Sequence, residues 1–316
     1  MLKIVPSWIP LARLALVDCR PRMVCILLDC TALTRNLYWS SPKIFANARL
    51  CPILPSASRR FFRRVKSCCL QTDFAYRLNL KFRFGAGRLS AIPDVPLPNK
   101  VLQNAAEWKA AFEQAQHLRV PHHRSDEKDW DHLAAAFAIL GHTSTEARIL
   151  DAGAEFYSNV LPTLFVYGYR NLFGINLSFA DPARRGPIRY LPGDMTKTGF
   201  PDGYFDAATC MSVIEHGVPL ENYFREMYRV LKPGGLLITS TDYYPTPVDT
   251  RGQLAYGAPI KIFTRDEMRD VLKLAAEAGF EPTGEIDLEC KEKAVRWAKF
   301  NLEYTFVIFT LRKKLD

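Results

Sequence analysis

A glycine-containing turn follows an apolar run near the middle of the chain and has the form of a cofactor-binding turn. The stretch ILDAGAEFYSN, residues 149–159, places Asp151 at the end of the apolar run and Gly153 just after it. Glycine lets the backbone approach a ligand closely because it has no side chain. A phosphate-binding turn usually has a second glycine two residues later, and Glu155 stands there instead. The pattern indicates a nucleotide-type cofactor turn with one departure.

Polar and sulfur-containing side chains follow the later apolar runs in the same way. The residues that follow or end these runs are Asn176, Asp194, Met195, Met211 and Ser212, and Glu215 and His216 come next. Ligands of open α/β sheets bind beyond the carboxyl ends of the strands. These side chains are therefore expected to meet at one edge of a sheet.

Seven apolar runs separated by helical patterns must supply that sheet. They are ARIL, YRNLFGINL, IRYLPGD, FDAATCMSV, GLLITSTD, FEPTGEIDLEC and LEYTFVIFTLRKK. Near-continuous apolar strands that alternate with helices are typical of a parallel sheet covered on both faces. No helical pattern separates the last two runs, which predicts an antiparallel edge strand. We therefore expect an α/β, Rossmann-like, seven-stranded and mostly parallel sheet with an antiparallel last strand, over residues 146–316.

Helical patterns occupy residues 101–145 before the first strand and recur after the fifth. NAAEWKAAFEQAQHL, residues 104–118, has an apolar face, and SDEKDWDHLAAAFAILGH, residues 125–142, begins at Ser125, a residue type that favours the N-cap. Gly141 is expected to end the second helix. Thr264 and Glu267 have the spacing of a capping box at the start of a later helix.

Residues 1–100 differ from the rest of the chain in net charge and in their lack of a regular pattern. They carry 17 Lys and Arg against 4 Asp and Glu, whereas the remainder carries 25 against 29. We expect a basic, irregular and poorly ordered N-terminal extension and linker, with an RNA or an anionic membrane surface as partners that suit its charge. No apolar run is long enough to span a bilayer. The eight cysteines show no zinc-type spacing, and we expect no metal site and a cytoplasmic protein without disulfides.

Four ordered motifs from residue 147 to residue 312 resemble class I S-adenosylmethionine-dependent methyltransferases, of the small-molecule branch that includes enzymes of quinone biosynthesis. They are RILDAGAEF, YGYRNLFGINL, YLPGDMTKTGFPDGYFDAATCMSVIEH and EMYRVLKPGGLLIT. The resemblance implies S-adenosylmethionine as cofactor. It implies that Asp151 holds the methionine ammonium directly or through water, that Gly153 gives close backbone approach, and that Asn176, in place of the usual acidic residue, accepts from the ribose. Asp194 would hold the adenine amine, Met195 would pack on the ring, and Met211 and Ser212 would line the cofactor.

The resemblance also places the acceptor chemistry. It puts Glu215 and His216 where the transferred methyl sits, so His216 would be a general base; the alternative is a structural contact at a helix start. The long loop from residue 241 to residue 263 is expected to bind a small-molecule acceptor through Tyr243, Tyr244, Arg251 and Tyr256. Residues 101–145, with Trp130, would form a lid. Two alternatives stay open: an RNA methyltransferase that uses the basic arm, and a non-catalytic cofactor-binding relative.

Overall fold

The apolar runs form one mixed sheet in the computed structural model, which describes residues 70–86 and 96–315. Within that part of the chain the sheet order is β1-β12-β7-β6-β2-β3-β5-β4, with β10 and β11 also paired to β12. The strands are β1 Lys100–Val101, β2 Arg148–Ala152, β3 Asn171–Asn176, β4 Ala183–Arg185, β5 Ile188–Pro192, β6 Phe205–Met211, β7 Leu231–Tyr243, β10 Phe280–Pro282, β11 Val295–Trp297 and β12 Leu302–Lys313; β8 Leu254–Ala255 and β9 Ala258–Pro259 form a separate hairpin.

Helices flank this sheet on both faces. They are α1 Asp73–Phe84, α2 Ala105–His117, α3 Asp129–His142, α4 Val160–Val166, α5 Leu220–Val230 and α6 Arg265–Glu277, and a 3₁₀ turn, Asp126–Lys128, precedes α3. The predicted capping box forms at the start of α6, where Thr264 and Glu267 bond each other's backbone N–H groups. This reciprocal pair satisfies two N–H groups that a helix start otherwise leaves without partners.

The predicted fold class is confirmed, with one correction about the last strand. Strands β5, β3, β2, β6 and β7 are parallel neighbours, and β12 is antiparallel to β7. However, β12 is not an edge strand, because β1, β10 and β11 pair with its far side. Five short strands, β1, β4, β8, β9 and β11, were not predicted; two or three residues are too few to show the alternation on which a strand prediction rests.

Alternation along the central strands explains why both faces of the sheet are covered. In β2, Ile149 packs into the apolar layer that contains α3 and α4, whereas Leu150 packs into the layer that contains α5. In β12, Phe306 and Val307 divide in the same way. Successive side chains of a strand point to opposite faces, so a strand that is apolar at every position must be buried on both.

Three local predictions are corrected by the structure. Residues 73–84, expected to be irregular, form α1, because Tyr76 and Leu80 bury one helix face against the domain core. Ser125 makes no side-chain cap, since a 3₁₀ turn intervenes and α3 starts only at Asp129. Gly141 lies inside the last turn of α3, one residue before its end.

The remaining N-terminal predictions mostly lie outside the described residues. This holds for the part of the predicted extension and linker that covers residues 1–69 and 87–95. Among the helices that the structure describes, none combines the length and the apolar character needed to cross a lipid bilayer.

Candidate active site

A cleft of about 1040 Å³ lies at the carboxyl ends of the parallel strands. Its walls come from the ends of β2, β3, β5, β6 and β7, from the start of β12, and from residues 123–132 ahead of and within α3. This is the edge at which open α/β sheets bind ligands, and the volume is near the upper end of small-molecule sites, roughly 300–1000 Å³. Most of the side chains predicted from separate motifs therefore share one cavity.

Gly153 forms the turn after β2 and faces the cleft. Its φ is +89°, and a Cβ there would lie 2.5 Å from Cγ2 of Val213. Its N–H donates to the carbonyl of Ile175 at 2.8 Å. Only glycine fits both this backbone conformation and this contact, so the cleft keeps a bare backbone surface at the end of β2.

Asp151 lies beneath the cleft and does not line it. It is 2% exposed, and its Oδ1 accepts a hydrogen bond from Oγ1 of Thr209 at 2.8 Å. Burial raises the pKa of Asp151 to about 6, although the Thr209 hydroxyl and nearby His132 oppose the shift. Any contact that Asp151 makes with a ligand must therefore pass through a water or follow a local rearrangement.

Asn176 ends β3, and its side-chain amide links the loop after β3 to the loop after β2 by hydrogen bonds. Its Nδ2 donates to the carbonyls of Gly153 and Ala154, at 3.2 and 3.1 Å. Its Oδ1 accepts from the N–H of Ser178 at 2.8 Å. The side chain lines the cleft, but its donors point into the protein.

Asp194 and Met195 follow β5, and both line the cleft as predicted. Oδ1 of Asp194 accepts from the N–H and the hydroxyl of Thr196, at 2.8 and 2.7 Å. These bonds fix the carboxylate and leave Oδ2 without a hydrogen bond from any described residue. Met195 is 8% exposed and gives an apolar surface beside that carboxylate.

Met211 ends β6 and Ser212 follows it, and both also line the cleft. Ser212 has a φ of +53°, and its N–H donates to the carbonyl and to Oγ of Ser240, at 3.0 and 3.2 Å. Its own Oγ accepts from Nζ of Lys128 at 2.6 Å. The end of β6 is thereby tied both to β7 and to the segment ahead of α3.

A buried ion pair in α3 supports this wall. His132 lines the cleft, and its Nδ1 lies 3.0 Å from Oδ1 of Asp131. Burial opposes a charge on either group, but the Asp131 carboxylate raises the pKa of His132, and the pKa of Asp131 falls to about 2. The second Asp131 oxygen accepts from Oγ of Ser240 at 2.5 Å. The pair therefore favours the protonated form of His132 at the wall of the cleft.

Two buried carboxyls share one lysine at the other end of the cleft. Nζ of Lys128 lies 3.5 Å from Oδ1 of Asp242, an oxygen that accepts no hydrogen bond, and 3.6 Å from the ring centre of Phe306. Glu215 accepts from Oγ1 of Thr241 at 2.9 Å. Burial raises the pKa of Glu215 and of Asp242 to about 7, although Lys128 opposes both shifts. At neutral pH the Glu215 and Asp242 carboxyls can therefore each take up or release a proton.

His216 faces the cleft in the loop after β6, as predicted. Its ring centre lies 4.9 Å from that of Tyr256, and its Nδ1 is buried without a hydrogen-bond partner. Burial lowers the pKa of His216, although Asp242 opposes the shift. The imidazole is therefore neutral at pH 7 and able to accept a proton.

Of the four residues predicted to bind an acceptor, the structure brings only Tyr256 to the cleft. Tyr243 is fully buried, and its hydroxyl donates to the carbonyl of Leu288 at 2.5 Å. Tyr244 packs against the core under Lys293. Arg251 is exposed and donates to the carbonyls of Phe300 and Asn301. These three predictions are corrected. Strand alternation turns Tyr243 away from the cleft, core packing holds Tyr244, and the fold of the loop directs Arg251 elsewhere.

Comparison with known proteins adds the family. Residues 152–239, from the end of β2 into β7, match the protein family described as "Methyltransferase domain". The segment carries Gly153, Asn176, Asp194, Met211 and Glu215, all of which face the cleft. Residues 152–239 are therefore similar to a methyltransferase domain.

Curated relatives of the methyltransferase domain match only part of the chain. A protein from Debaryomyces hansenii named sterol 24-C-methyltransferase is 30% identical over 119 residues, which is 35% of this chain and 31% of that protein. The Aspergillus fumigatus protein named sterol 24-C-methyltransferase erg6 is 29% identical over 116 residues, again 35% and 31%. The chain thus spans about a third of the length of these relatives.

Solved structures that match the chain share little sequence with it. An S-adenosylmethionine-dependent methyltransferase from Mesorhizobium loti is 19% identical and covers 58% of this chain and 97% of its own, with a TM-score of 0.44. A Burkholderia thailandensis N1-methyltransferase, solved with S-adenosylhomocysteine, is 21% identical over 71% and 94%, with a TM-score of 0.42.

The methyltransferase domain also has cleft residues that the sequence patterns did not reveal. They are His132 and Lys128 from the predicted lid segment, Asp242 at the end of β7, and an aromatic wall made by Trp297, Tyr304 and Phe306. Asp242 could have been found, since it ends a parallel strand as Asp151 does. The aromatic wall gave no signal, because it belongs to antiparallel strands in which no motif singles out these positions. Trp130 of the lid is buried and does not line the cleft.

The cleft of the methyltransferase domain fits S-adenosylmethionine. The bare backbone at Gly153 admits close approach, and the free oxygen of Asp194 beside Met195 suits an adenine amine and its ring. The Asp131 carboxylate raises the pKa of His132, which favours a protonated ring that could bind a carboxylate. In residues 70–86 and 96–315, no group of three or more His, Cys, Asp or Glu side chains is placed to hold a metal ion.

Proposed function

We propose that the protein transfers a methyl group from S-adenosylmethionine to a small, largely apolar acceptor and releases S-adenosylhomocysteine. The observation that carries this proposal is a single cleft with two chemically different ends. Gly153 and Asp194 belong to the cofactor end, whereas Trp297, Tyr304 and Phe306 wall the other end around buried carboxyls. Aromatic walls with a few fixed polar groups are typical of small-molecule sites.

The class of acceptor is proposed from that wall and from the relatives. Tyr256 is 78% exposed and Trp297 is half-buried, and both line the cleft, so their rings offer an apolar surface to an acceptor. The similarity to proteins named sterol 24-C-methyltransferase supports a lipophilic acceptor. A quinone-type acceptor and a cytoplasmic location stay predictions from the sequence.

When bound, the cofactor supplies the methyl group on a positively charged sulfonium. The chain's own residues align the acceptor and handle its proton. His216, neutral because burial lowers its pKa, can accept a proton from an acceptor at the aromatic end. The Glu215 and Asp242 carboxyls can take up that proton or stabilise positive charge, with Lys128 limiting their repulsion.

Cofactor binding is the first test of this proposal. Calorimetry should show that the wild type binds S-adenosylhomocysteine. Asp194→Ala should bind it at least about tenfold more weakly, because a hydrogen bond to a carboxylate is lost. Asp194→Asn is the matched control. It keeps an oxygen for Thr196 and should lose less affinity. Absence of binding to the wild type, or equal binding by Asp194→Ala, would contradict the proposal.

Acceptor class is tested by following the methyl group. The protein is incubated with methyl-tritiated S-adenosylmethionine and, separately, with a lipid extract containing sterols and quinone precursors or with total RNA. Label should appear in a solvent-extractable small molecule. Label in RNA would favour an RNA methyltransferase, and cofactor binding without transfer to either extract would favour a non-catalytic relative.

A further inference from the structure

The carboxylate of Glu155 lines the cleft between the end of β2 and the end of β3. Its Oε1 accepts a hydrogen bond from Oγ of Ser178 at 3.1 Å and lies 3.5 Å from Nδ2 of Asn176. The N–H of Glu155 donates to Oγ of Ser158 at 3.0 Å. These contacts hold both the backbone and one carboxylate oxygen, while Oε2 accepts no hydrogen bond from any described residue.

Asn176, the residue expected to bind ribose, uses the polar atoms of its side chain in hydrogen bonds within the protein. Its two amide hydrogens go to the carbonyls of Gly153 and Ala154, and its oxygen accepts from Ser178. An amide in this position carries no charge, so it is a weaker acceptor for hydroxyl groups than a carboxylate is. Asn176 thus positions the loop that carries Glu155 more than it offers an acceptor of its own.

We propose that Glu155 is the residue that accepts hydrogen bonds from the ribose hydroxyls of S-adenosylmethionine, an assignment that rests on the proposed function. Sheet order places it suitably. β3 lies between β2, which is followed by Gly153, a residue that suits the methionine part, and β5, which is followed by Asp194 and Met195, which suit adenine. The ribose joins those two parts of the cofactor, so it must pass the end of β3. There, Oε2 of Glu155 is a fixed, charge-assisted acceptor for a diol.

Calorimetry with the parent ligand and two analogues tests this assignment on the full chain. Wild type and Glu155→Gln are titrated with S-adenosylhomocysteine and with its 2′-deoxy and 3′-deoxy analogues. The wild type should prefer the parent ligand by roughly tenfold or more over at least one analogue, the scale of a hydrogen bond to a charged group. Glu155→Gln should lose about that factor for the parent ligand and bind that analogue nearly as the wild type does.

Two further variants separate a ribose contact from other effects. Glu113→Gln removes the same charge from an exposed position on α2 and should leave all affinities unchanged. Glu155→Gly with Asn176→Asp moves the carboxylate to the end of β3 and should regain most of the affinity and the preference for the parent ligand. Thermal melting of each unliganded variant checks folding.

The outcomes are distinct. If Glu155→Gln keeps the wild-type preference for ribose hydroxyls, the assignment is overturned even though the cofactor binds. If it weakens the parent ligand and both analogues equally, Glu155 contacts another part of the cofactor, which also overturns the assignment. If the wild type binds none of the ligands, the proposed function fails instead.

Discussion

Replacing Lys128 by methionine should make the stability of the domain strongly dependent on pH. Methionine keeps the apolar stem, but it removes the charge that lies 3.5 Å from Asp242 and the donor that bonds Ser212. Burial holds the pKa of Glu215 and of Asp242 at about 7, and Lys128 opposes that rise in both. Without the lysine, both pKa values should rise further.

The size of the stability loss depends on how far the pH lies above the pKa of the two carboxyls. At pH 8 a carboxyl with a pKa of about 7 takes up a proton at a cost of roughly 1 kcal/mol, because one pKa unit corresponds to about that energy. In Lys128→Met, Glu215 and Asp242 can each bind a proton instead of staying charged without the lysine. Protonating both at pH 8 costs about 3 kcal/mol, so the charge-dependent loss in the free energy of unfolding is at most about that value. At pH 6 both carboxyls are already largely protonated, so the same loss approaches zero.

The pH dependence of stability has the opposite sign to that of a carboxyl whose pKa is lowered on folding. Because these pKa values are raised in the folded state, the folded protein binds protons more tightly than the unfolded chain. Wild-type stability from this pair is therefore present at low pH and falls as pH rises towards 7. In Lys128→Met the fall should continue through pH 8. Loss of the hydrogen bond to Ser212 adds a constant of about 1 kcal/mol at either pH.

Urea unfolding at pH 6 and pH 8, followed by circular dichroism, measures this difference. Lys232→Met is the matched control. Its partner Asp206 lies 2.6 Å away, but the two side chains are 43% and 28% exposed, so the loss should stay below about 1 kcal/mol. An equal loss for Lys128→Met at pH 6 and pH 8 would refute the charge argument and leave packing as the role of Lys128.

Two other substitutions probe the loops around the cleft. His216→Ala should lower turnover by roughly a hundredfold and leave S-adenosylhomocysteine affinity unchanged; because burial lowers the pKa of His216, the acid limb of the wild-type rate profile should lie below about pH 6.5. Lower melting temperature with retained turnover would assign His216 a structural role. Gly153→Ala should destabilise the protein by about 1–3 kcal/mol, because its φ is +89° and its Cβ would meet Val213 at 2.5 Å. Adding Val213→Ala should restore part of that loss, and full stability of Gly153→Ala alone would contradict the steric argument.

Much of the cofactor end could be predicted from the sequence because it depends on local patterns. Gly153, Asn176 and Asp194 each directly follow or end an apolar strand, and parallel strands bring their carboxyl ends to one edge. Asp151 shows where this reasoning stops. Its place at the end of β2 predicted a contact with the methionine ammonium, direct or through water. Its carboxylate is buried and bonded to Thr209, so in this structure only the contact through water is open to it without a rearrangement.

The sequence by itself determined the fold class, the strand ends that meet at the cleft and the nature of the cofactor turn, because hydrophobic period and turn residues act over a few neighbours. Only the tertiary structure decided the acceptor end. Lys128 and Asp242 are 114 residues apart, and Glu155 meets Ser178 across two loops. Such contacts depend on how helices and strands pack, which no local pattern encodes. The same packing turned Tyr243 into the core and brought Trp297 and Tyr304 into the cleft.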